Sequence, residues 1–431
     1  MNLIKNLGWS ATNSLFTSVI ILLQLSVTTK YLDASDFAVF AVVTIFVGFC
    51  LQLAEGGVGN AIITFADMSK DDLKQVMSLA LLIAIFLMFF LVIASFPIAS
   101  FYDNDDLVPL LIVVSLSIPF FTIARCYKSI LQTALNMKSV ALVDITARSV
   151  SFIFVVTLAI NGYGVWSLAI GTLVLSISLF IGYISISTPV AFVFPNFSNK
   201  KLKKITNFSF VQSIDLLITY FTRNLDVLIL VKLVGDDISG AYSVIKTFLM
   251  QIVDTIFLTL NRFYYPYLVK SLNDVQTLRR KYIQFYGLFN FLNVFTLLIF
   301  VFYYEIIITT LFRKDFIELV PILLITVWLL IRYTCASLST LWLIRAKPHI
   351  GIIWNLMNMA GVLIVLFFLD SEINDIIVGF IFISIFMALV SCVVTGSLLL
   401  IDGIKGYFQV ALPIIFQILV IYFFYIALKA Y

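Results

Sequence analysis

The segment QVMSLALLIAIFLMFFLVIASFPIASFY, Gln75 to Tyr102, contains 28 residues and no charged side chain. A helix needs ~20 residues to cross a hydrocarbon layer of ~30 Å, so this segment is long enough to span a membrane. A second uncharged stretch, Ser149 to Pro195, is longer still. Such runs are too long and too uninterrupted for the strands of a membrane barrel. The sequence therefore predicts an all-α polytopic membrane protein.

The composition of the whole chain supports this class. Of the 431 residues, 62% are hydrophobic and only 12% are charged, and the mean hydropathy is +1.11. Soluble domains are far less apolar. The formal charge of +4 is therefore interpreted as a sign of membrane topology and not of nucleic-acid binding.

Most enzyme classes are disfavoured by the residues that the chain lacks. His349 is the single histidine, which excludes clusters of histidines around a metal and leaves one residue to serve any Ser-His-Asp triad. The sequence contains no glycine-rich phosphate loop and no HExxH or GxSxG motif. We therefore predict no enzymatic activity, no cofactor and no metal. The four cysteines are scattered without pairing logic and are expected to be buried thiols: Cys50, Cys126, Cys335 and Cys392.

Hydropathy segmentation predicts about 13 transmembrane helices, within a range of 12 to 14, in two six-helix lobes. The predicted spans are residues 9–29, 37–59, 76–99, 107–129, 140–161, 164–188, 208–232, 239–264, 282–304, 317–342, 349–369, 374–401 and 407–429. The predicted domains are an N-terminal lobe (1–190), a cytoplasmic inter-lobe linker (191–206), a C-terminal lobe (207–402) and an additional C-terminal transmembrane helix (403–431).

Basic residues predict the orientation of these spans. With a cytoplasmic amino terminus, 17 of the 27 basic residues fall in inner segments, Arg125 and Lys128 among them, and five fall outside. Membrane proteins keep lysine and arginine preferentially in their cytoplasmic loops. We therefore expect a multi-pass protein whose amino terminus faces the cytoplasm.

An internal repeat connects the two predicted lobes. A shift of 202 positions places Ser35–Phe46 on Asp237–Phe248 and sets Ala38 on Gly240. The same shift places the polar Gln24 on Asp226. Six spans before and after the linker give both lobes one orientation, which is the parallel repeat found in some transporters. Chance similarity between two membrane helices is the alternative, and the matched polar positions count against it.

Charged residues inside the predicted spans point to a polar interior. The seventh span carries Gln212, Asp215, Thr219, Arg223 and Asp226 at steps of 3, 4, 4 and 3, which is one face of a helix. A charge at mid-membrane costs ~2.5 to 3.5 kcal/mol, so this face is expected to meet a wet cavity or another polar helix. Arg148 and Arg332 also lie close to mid-membrane, and Lys246 lies in the outer half.

The acidic residues in the spans have a structural interpretation beside the functional one. Asp144 and Arg148 are four residues apart on one helix and can neutralise each other. Asp226 can similarly serve Arg223 or Lys246, and Asp254 can serve Lys246. Glu55, which glycines follow, is expected to mark the end of a helix. If all of these charges were paired across helices, they would stabilise the packing of the helices and would bind no ligand.

Unpaired cations in such a cavity would suit the transport of an anion. Arginine presents a planar fork of donors to phosphate oxygens and stays charged when it is partly buried. An amphipathic anion, with a polar head that must cross and a lipid tail that need not, would fit a cavity that opens sideways between two lobes.

Three segments resemble a known family: YLDASDFAVFAVV (Tyr31–Val43), NGYGVWSLAIG (Asn161–Gly171) and RNLDVLILVKLVGDDISGAYSVIK (Arg223–Lys246). They are similar to polysaccharide exporters and lipid-linked oligosaccharide (O-antigen repeat-unit) flippases of the multidrug/oligosaccharidyl-lipid/polysaccharide exporter superfamily. The resemblance extends over nearly the whole chain in span order. Ala38 departs from it where glycine is usual, and the chain has one span fewer than a 14-helix layout.

The resemblance implies a V-shaped, MATE-like transporter that carries an undecaprenyl-pyrophosphate-linked oligosaccharide, an O-antigen or capsule repeat unit, across the bacterial inner membrane by alternating access. The substrate-binding residues predicted on this basis are Arg148, Arg223, Lys246, Arg332, Gln24 and Asn13. The predicted charge partners or ion-coupling residues are Asp144, Asp215, Asp226 and Asp254. The expected partners are the lipid-linked substrate and, in the membrane, a polysaccharide polymerase and a chain-length regulator; we expect a monomer.

Two other functions remain open on the sequence. An ion-coupled multidrug exporter of the MATE type would use the carboxylates to bind the coupling ion and a cationic drug. A membrane-embedded glycosyltransferase or ligase would need a catalytic base and large outer loops, and the predicted outer loops are short. The excess of cations at mid-membrane favours the flippase.

Overall fold

The computed structural model describes residues 3–55, 58–64, 68–187, 192–195, 200–272, 274–313, 316, 319–345, 347, 349–368, 372–399 and 415. Every element within these ranges is an α-helix, which confirms the predicted all-α class. The helices are α1 (Leu3–Thr28), α2 (Ala34–Glu55), α3 (Val58–Thr64), α4 (Lys70–Tyr102), α5 (Leu107–Ser115), α6 (Ser117–Thr133), α7 (Met137–Ile160), α8 (Val165–Ile186), α9 (Lys200–Val234), α10 (Asp236–Val269), α11 (Val275–Leu311), α12 (Ile322–Thr334), α13 (Ala336–Ile344), α14 (His349–Phe368) and α15 (Ile373–Leu398).

Eleven segments of the described chain are long and apolar enough to cross a membrane. They match eleven of the predicted spans, with α5 and α6 forming one and α12 and α13 another. The predicted seventh span is a helix, α9, but its charged face makes it less apolar than these eleven. The predicted thirteenth span, 407–429, lies outside the described residues except for residue 415. The membrane class is confirmed, while the count of about thirteen is not.

The uncharged segment that begins at Gln75 lies in α4, and local signals fix where this helix begins and ends. Ser69 and Asp72 form a reciprocal cap, in which each side chain accepts a hydrogen bond from the other's backbone N–H, at 3.1 and 3.2 Å. At the other end Asp103 adopts a left-handed conformation with φ 54°, which terminates the helix. These caps place polar residues at both ends of a long apolar helix.

The described chain packs as two compact units, Met1–Ser243 and a second unit from Val244 onward. In the first unit α7 packs against α1 and α8, and α9 packs against α2. Tyr220 of α9 donates a hydrogen bond to the carbonyl of Ile45 at 3.1 Å. The predicted division into two lobes that move during transport, with a linker at residues 191–206, stays a prediction.

Helix starts agree with the predicted repeat. Helix α2 begins at Ala34, and α10 begins at Asp236, 202 positions further along the chain. The two starts also touch, because a Cβ added at Gly240 would overlap the carbonyl oxygen of Ala34. Only glycine allows the backbones to approach this closely at that point.

The core of the second unit is aromatic. Tyr282 and Phe285 of α11 are fully buried, and they pack in one cluster with Leu338 and Trp342 of α13. Helix α12 packs against α11 and α15. All four cysteines are buried, as the sequence predicts.

Candidate functional site

The first candidate cluster surrounds Asp144, a buried carboxylate on α7. Lys128 Nζ of α6 donates to Asp144 Oδ2 at 2.6 Å, and Asn13 Nδ2 of α1 donates to the same oxygen at 2.8 Å. The hydroxyl of Tyr183 on α8 donates to Asp144 Oδ1 at 2.6 Å. Four helices therefore meet at this carboxylate. Two predicted site residues, Asn13 and Asp144, are in direct contact.

A second ion pair extends this cluster to α2. Arg125, three residues before Lys128 on α6, pairs with Glu55, the last residue of α2. Residues 56 and 57 lie outside the described residues, so the predicted helix end at Glu55 stays a prediction. Both bases lie within α6, toward the end of the predicted fourth span (107–129), and their position on the inner side stays a prediction. One face of α6 therefore clamps two neighbouring helices, α2 and α7.

Arg148 lies one helical turn beyond Asp144 on α7 and is half-buried. Its charge interacts with those of Asp144 and Arg125. Because three donors already hold Asp144, Arg148 is not needed to balance that carboxylate. The cluster contains three bases (Arg125, Lys128 and Arg148) and two acids (Glu55 and Asp144), so it carries an excess positive charge when all five are ionised.

Helix α9 contributes the predicted charges of the seventh span. Asp226 is buried, with 1% of its surface exposed, and the hydroxyl of Tyr242 on α10 donates to its Oδ2 at 2.6 Å. Lys232 pairs with Asp103 at 2.6 Å at the exposed end of α4. Gln212, at the start of the predicted polar face, has a buried Oε1 with no hydrogen-bond partner in the described part of the chain.

The second candidate cluster lies in the second unit and centres on the indole of Trp328. Lys246 Nζ of α10 lies 5.9 Å from the centre of that ring, and Arg332 Cζ lies 5.5 Å from it. Lys246 and Trp328 are almost fully buried, with 3% and 2% of their surfaces exposed. The structure thus brings two predicted cations to one aromatic side chain. Phe380 of α15 packs against Trp328 with ring centroids 5.0 Å apart and fixes the indole in place.

The predicted acid of this unit, Asp254, lies two turns after Lys246 on α10. The hydroxyl of Tyr333 donates to Asp254 Oδ1 at 2.9 Å. Tyr333 directly follows Arg332 on α12. Helices α10 and α12 are therefore connected both through the indole and through this hydrogen bond.

Three further predicted residues lie on α1 and α9. Gln24 lies on α1, and Asp215 and Arg223 lie on α9; all three are half-buried. Their part in a common site stays a prediction.

The residues that complete each cluster are not among the predicted site residues. Lys128, Tyr183, Tyr242, Trp328 and Tyr333 all contact a predicted site residue. All five lie on a different helix from the site residue that they contact in these pairs, so spacing along one helix cannot reveal them. A search for buried tyrosines that could serve carboxylates in apolar surroundings is the signal that would have found three of them.

The chemistry of the clusters is electrostatic. Two cations beside one buried indole can both donate to one anion, and the π-face stabilises both charges. Within the described residues, no group of three or more histidine, cysteine or acidic side chains could hold a metal ion.

Comparisons with known proteins point to one family. The family described as "Polysaccharide biosynthesis protein" matches residues 27–321. The chain is 23% identical over 378 residues to an uncharacterized membrane protein in the cps region of Klebsiella pneumoniae, covering 85% of this chain and 76% of that protein. It is 21% identical over 369 residues to the lipopolysaccharide biosynthesis protein WzxC of Escherichia coli K12, covering 82% and 72%.

Another relative is the succinoglycan biosynthesis transport protein ExoT of Rhizobium meliloti, which is 23% identical over 57% of this chain and 49% of its own length. Solved structures of multidrug transporters share the fold. An inward-facing MATE family transporter of the MOP superfamily superposes with a TM-score of 0.66 at 12% identity, over 90% of this chain and 96% of the other. A eukaryotic MATE transporter, AtDTX14, gives a TM-score of 0.57 at 12% identity, over 95% and 98%.

Proposed function

Because the chain belongs to the polysaccharide biosynthesis protein family, we propose that it is a flippase for a lipid-linked oligosaccharide. Its substrate is an undecaprenyl-pyrophosphate-linked repeat unit of an O-antigen or capsule, carried across the bacterial inner membrane. Two relatives are named for lipopolysaccharide biosynthesis and for succinoglycan transport, which supports a polysaccharide precursor as the cargo.

The convergence of Lys246 and Arg332 on Trp328 is the observation that carries this proposal. A diphosphate offers several anionic oxygens, and it can accept hydrogen bonds from both cations at once. Arginine supplies the fork-shaped contact, and lysine supplies a mobile point charge. The diphosphate is the part of the substrate that costs most to take through a membrane, so binding there lowers the largest barrier.

The Asp144 cluster has a different part in this proposal. Lys128, Tyr183 and Asn13 satisfy the carboxylate, so Arg148 can turn its guanidinium to the substrate. Arg223 adds a further cation, Gln24 hydrogen-bonds sugar hydroxyls, and Asp215 tunes the charge of the cavity or couples it to an ion. Asp226 and Asp254, each held by a tyrosine, tune the field around the neighbouring cations or couple it to an ion.

The transport cycle follows from the predicted topology. The amino terminus faces the cytoplasm, and lobes 1–190 and 207–402 exchange access between the two sides of the membrane. The polar head crosses through the cavity while the polyprenyl chain stays in lipid. The protein acts as a monomer beside a polymerase and a chain-length regulator, and it performs no covalent chemistry.

Drug export of the MATE type is the less favoured function. The likeness to MATE transporters is at 12% identity, and so it concerns the fold alone. The family match and the relatives instead concern polysaccharide synthesis. A cationic drug would also be repelled by Lys246 and Arg332.

Gene deletion with complementation tests the proposed function. Deletion should abolish surface polysaccharide and leave lipid-linked repeat units at the inner leaflet, and wild-type protein should restore export. Sensitivity to cationic dyes measured in the same strains serves as the control for drug export. Intact surface polysaccharide together with raised dye sensitivity would contradict the flippase and favour the exporter.

A further inference from the structure

The turn between α10 and α11 carries a dense group of positive charges. Lys270, Arg279, Arg280 and Lys281 fall within twelve residues, and we call these four residues the basic turn. Lys270 and Arg280 are exposed, while Arg279 and Lys281 are half-buried. None of the four forms an ion pair among the described residues.

The single acid of this segment is already engaged. Asp274 caps α11: its Oδ1 accepts hydrogen bonds from the backbone of Gln276 at 3.0 Å and of Thr277 at 3.2 Å. The Thr277 hydroxyl donates to Asp274 Oδ2 at 2.5 Å. These hydrogen bonds, those with Thr277 first, hold the pKa of Asp274 below its usual value. Asp274 stays with its helix, and the segment keeps a strong positive charge.

Buried leucines and one side-chain hydrogen bond hold the described part of the turn in place. Leu268 and Leu278 are fully buried and belong to the core of the second unit. Lys281 Nζ donates to Ser271 Oγ at 2.6 Å and lies 3.6 Å from the ring centre of Tyr267. One cation of the group is therefore fixed, and its neighbours Arg279 and Arg280 are on the same first turns of α11.

Exposed apolar and aromatic side chains lie beside these charges. Tyr265 and Tyr267 near the end of α10 are 37% and 49% exposed, and Val269 is 39% exposed. Tyrosines with an apolar body and a polar tip favour the boundary between lipid tails and headgroups. Clusters of four or more basic residues next to a membrane helix attract anionic lipids. The two features together fit a lipid whose headgroup is a phosphate ester.

We propose that the basic turn binds the phosphate of an anionic phospholipid in the surrounding leaflet, with Arg279 and Arg280 as its main ligands and Tyr265 and Tyr267 against its glycerol and upper acyl chains. This site is separate from the Trp328 cluster and does not depend on what the protein transports. Bound lipid would anchor the α10–α11 hairpin at a fixed depth in the membrane.

Native mass spectrometry of the full chain tests this site, with phosphatidylglycerol and phosphatidylcholine as probes. The wild type should retain phosphatidylglycerol in preference to phosphatidylcholine. At ~1 kcal/mol per basic residue near a membrane surface, Arg279→Gln/Arg280→Gln should weaken that binding about 30-fold. Lys30→Gln/Lys70→Gln removes the same net charge from two exposed lysines elsewhere and should leave the preference unchanged.

Two further arms separate specific binding from general attraction. Glycerol phosphate should compete only weakly, because it lacks the acyl chains, and Arg279→Lys/Arg280→Lys should keep much of the preference. If the double glutamine variant does not insert, the single Arg280→Gln replaces it, since this side chain is exposed. Equal retention of both lipids by the wild type, or an equal loss in the control variant, overturns the proposal.

Discussion

Lys128 and Asp144 form an ion pair between two helices, with Nζ of Lys128 2.6 Å from Oδ2 of Asp144. Sixteen residues separate them in the chain, and α6 and α7 are joined through this contact. The side chains are 32% and 10% exposed, so the pair lies largely out of water. Pairs of this kind contribute little net stability when intact but leave a costly charge when one partner is removed.

Lys128→Met should therefore destabilise the first unit. A fully buried pair loses ~3 to 5 kcal/mol when it is broken; Lys128 is partly exposed, so we expect about 2 kcal/mol. Lys74→Met is the matched control because Lys74 pairs with Asp71 at 2.9 Å on the surface, where such pairs contribute ~0 to 1 kcal/mol. Thermal unfolding in detergent measures both. Equal shifts in Tm would contradict the account of the cluster.

A compensating variant sharpens that prediction. Lys128→Met/Asp144→Asn removes both charges and should recover part of the lost stability, because an amide is less costly to bury than an unpaired carboxylate. Tyr183 can still donate to the amide oxygen, and Asn13, with its own amide flipped, can accept from the new amide nitrogen through Oδ1. A double variant that is less stable than Lys128→Met alone would show that Asp144 has a different partner.

The contact between Gly240 and Ala34 predicts a position that tolerates no side chain. A Cβ at Gly240 would overlap the backbone oxygen of Ala34, and a backbone atom cannot swing away as a side chain can. Gly240→Ala should therefore reduce the yield of folded protein and its Tm. Gly287→Ala is the control, since no atom of the described residues lies within 4 Å of its Cβ position; better helix propensity should make it neutral or stabilising by up to ~1 kcal/mol. A tolerated Gly240→Ala would contradict the close packing of α2 on α10.

The indole of Trp328 should contribute to substrate binding through the cations that it holds. Loss of a partly desolvated cation–π contact costs ~0.5 to 2 kcal/mol, so Trp328→Leu should weaken the affinity for the diphosphate lipid about 2- to 30-fold, and Trp328→Phe should weaken it less. Trp354→Leu is the control, because Trp354 is also buried but packs against Trp342 at 6.4 Å. Binding assays on folded variants compare them. Equal affinity losses in Trp328→Leu and Trp354→Leu would indicate a packing effect alone.

Sequence patterns predicted the membrane helices well because the hydrocarbon layer imposes one strong rule on segments such as Gln75–Tyr102. The same rule explains why α9 is not among the eleven apolar segments. Its face with Asp215, Arg223 and Asp226 lowers the hydropathy, so length and apolarity alone do not identify it as a span. The repeat predicted that the helices starting at Ala34 and Asp236 correspond, because local turn and cap residues determine where a helix starts.

The partners of the buried charges were harder to predict from the sequence. Spacing on one helix suggested that Asp144 is paired with Arg148, but the direct ion pair comes from Lys128 on another helix. Likewise Trp328 looks like any apolar residue of a span, and its place beneath Lys246 and Arg332 depends on how α10 packs against α12. Contacts between helices depend on tertiary packing, which the period of a single helix does not encode.

Flipping of a diphosphate-linked oligosaccharide lipid in proteoliposomes tests the central claim most directly. Hydrogen bonds to charged groups contribute ~1.5 to 3 kcal/mol, so Lys246→Gln and Arg332→Gln should each reduce the initial rate at low substrate about 10- to 100-fold. Lys30→Gln, at an exposed lysine, should flip at the wild-type rate. If Lys246→Gln and Arg332→Gln insert stably and flip the substrate as fast as the wild type, the cations at Trp328 do not hold the diphosphate.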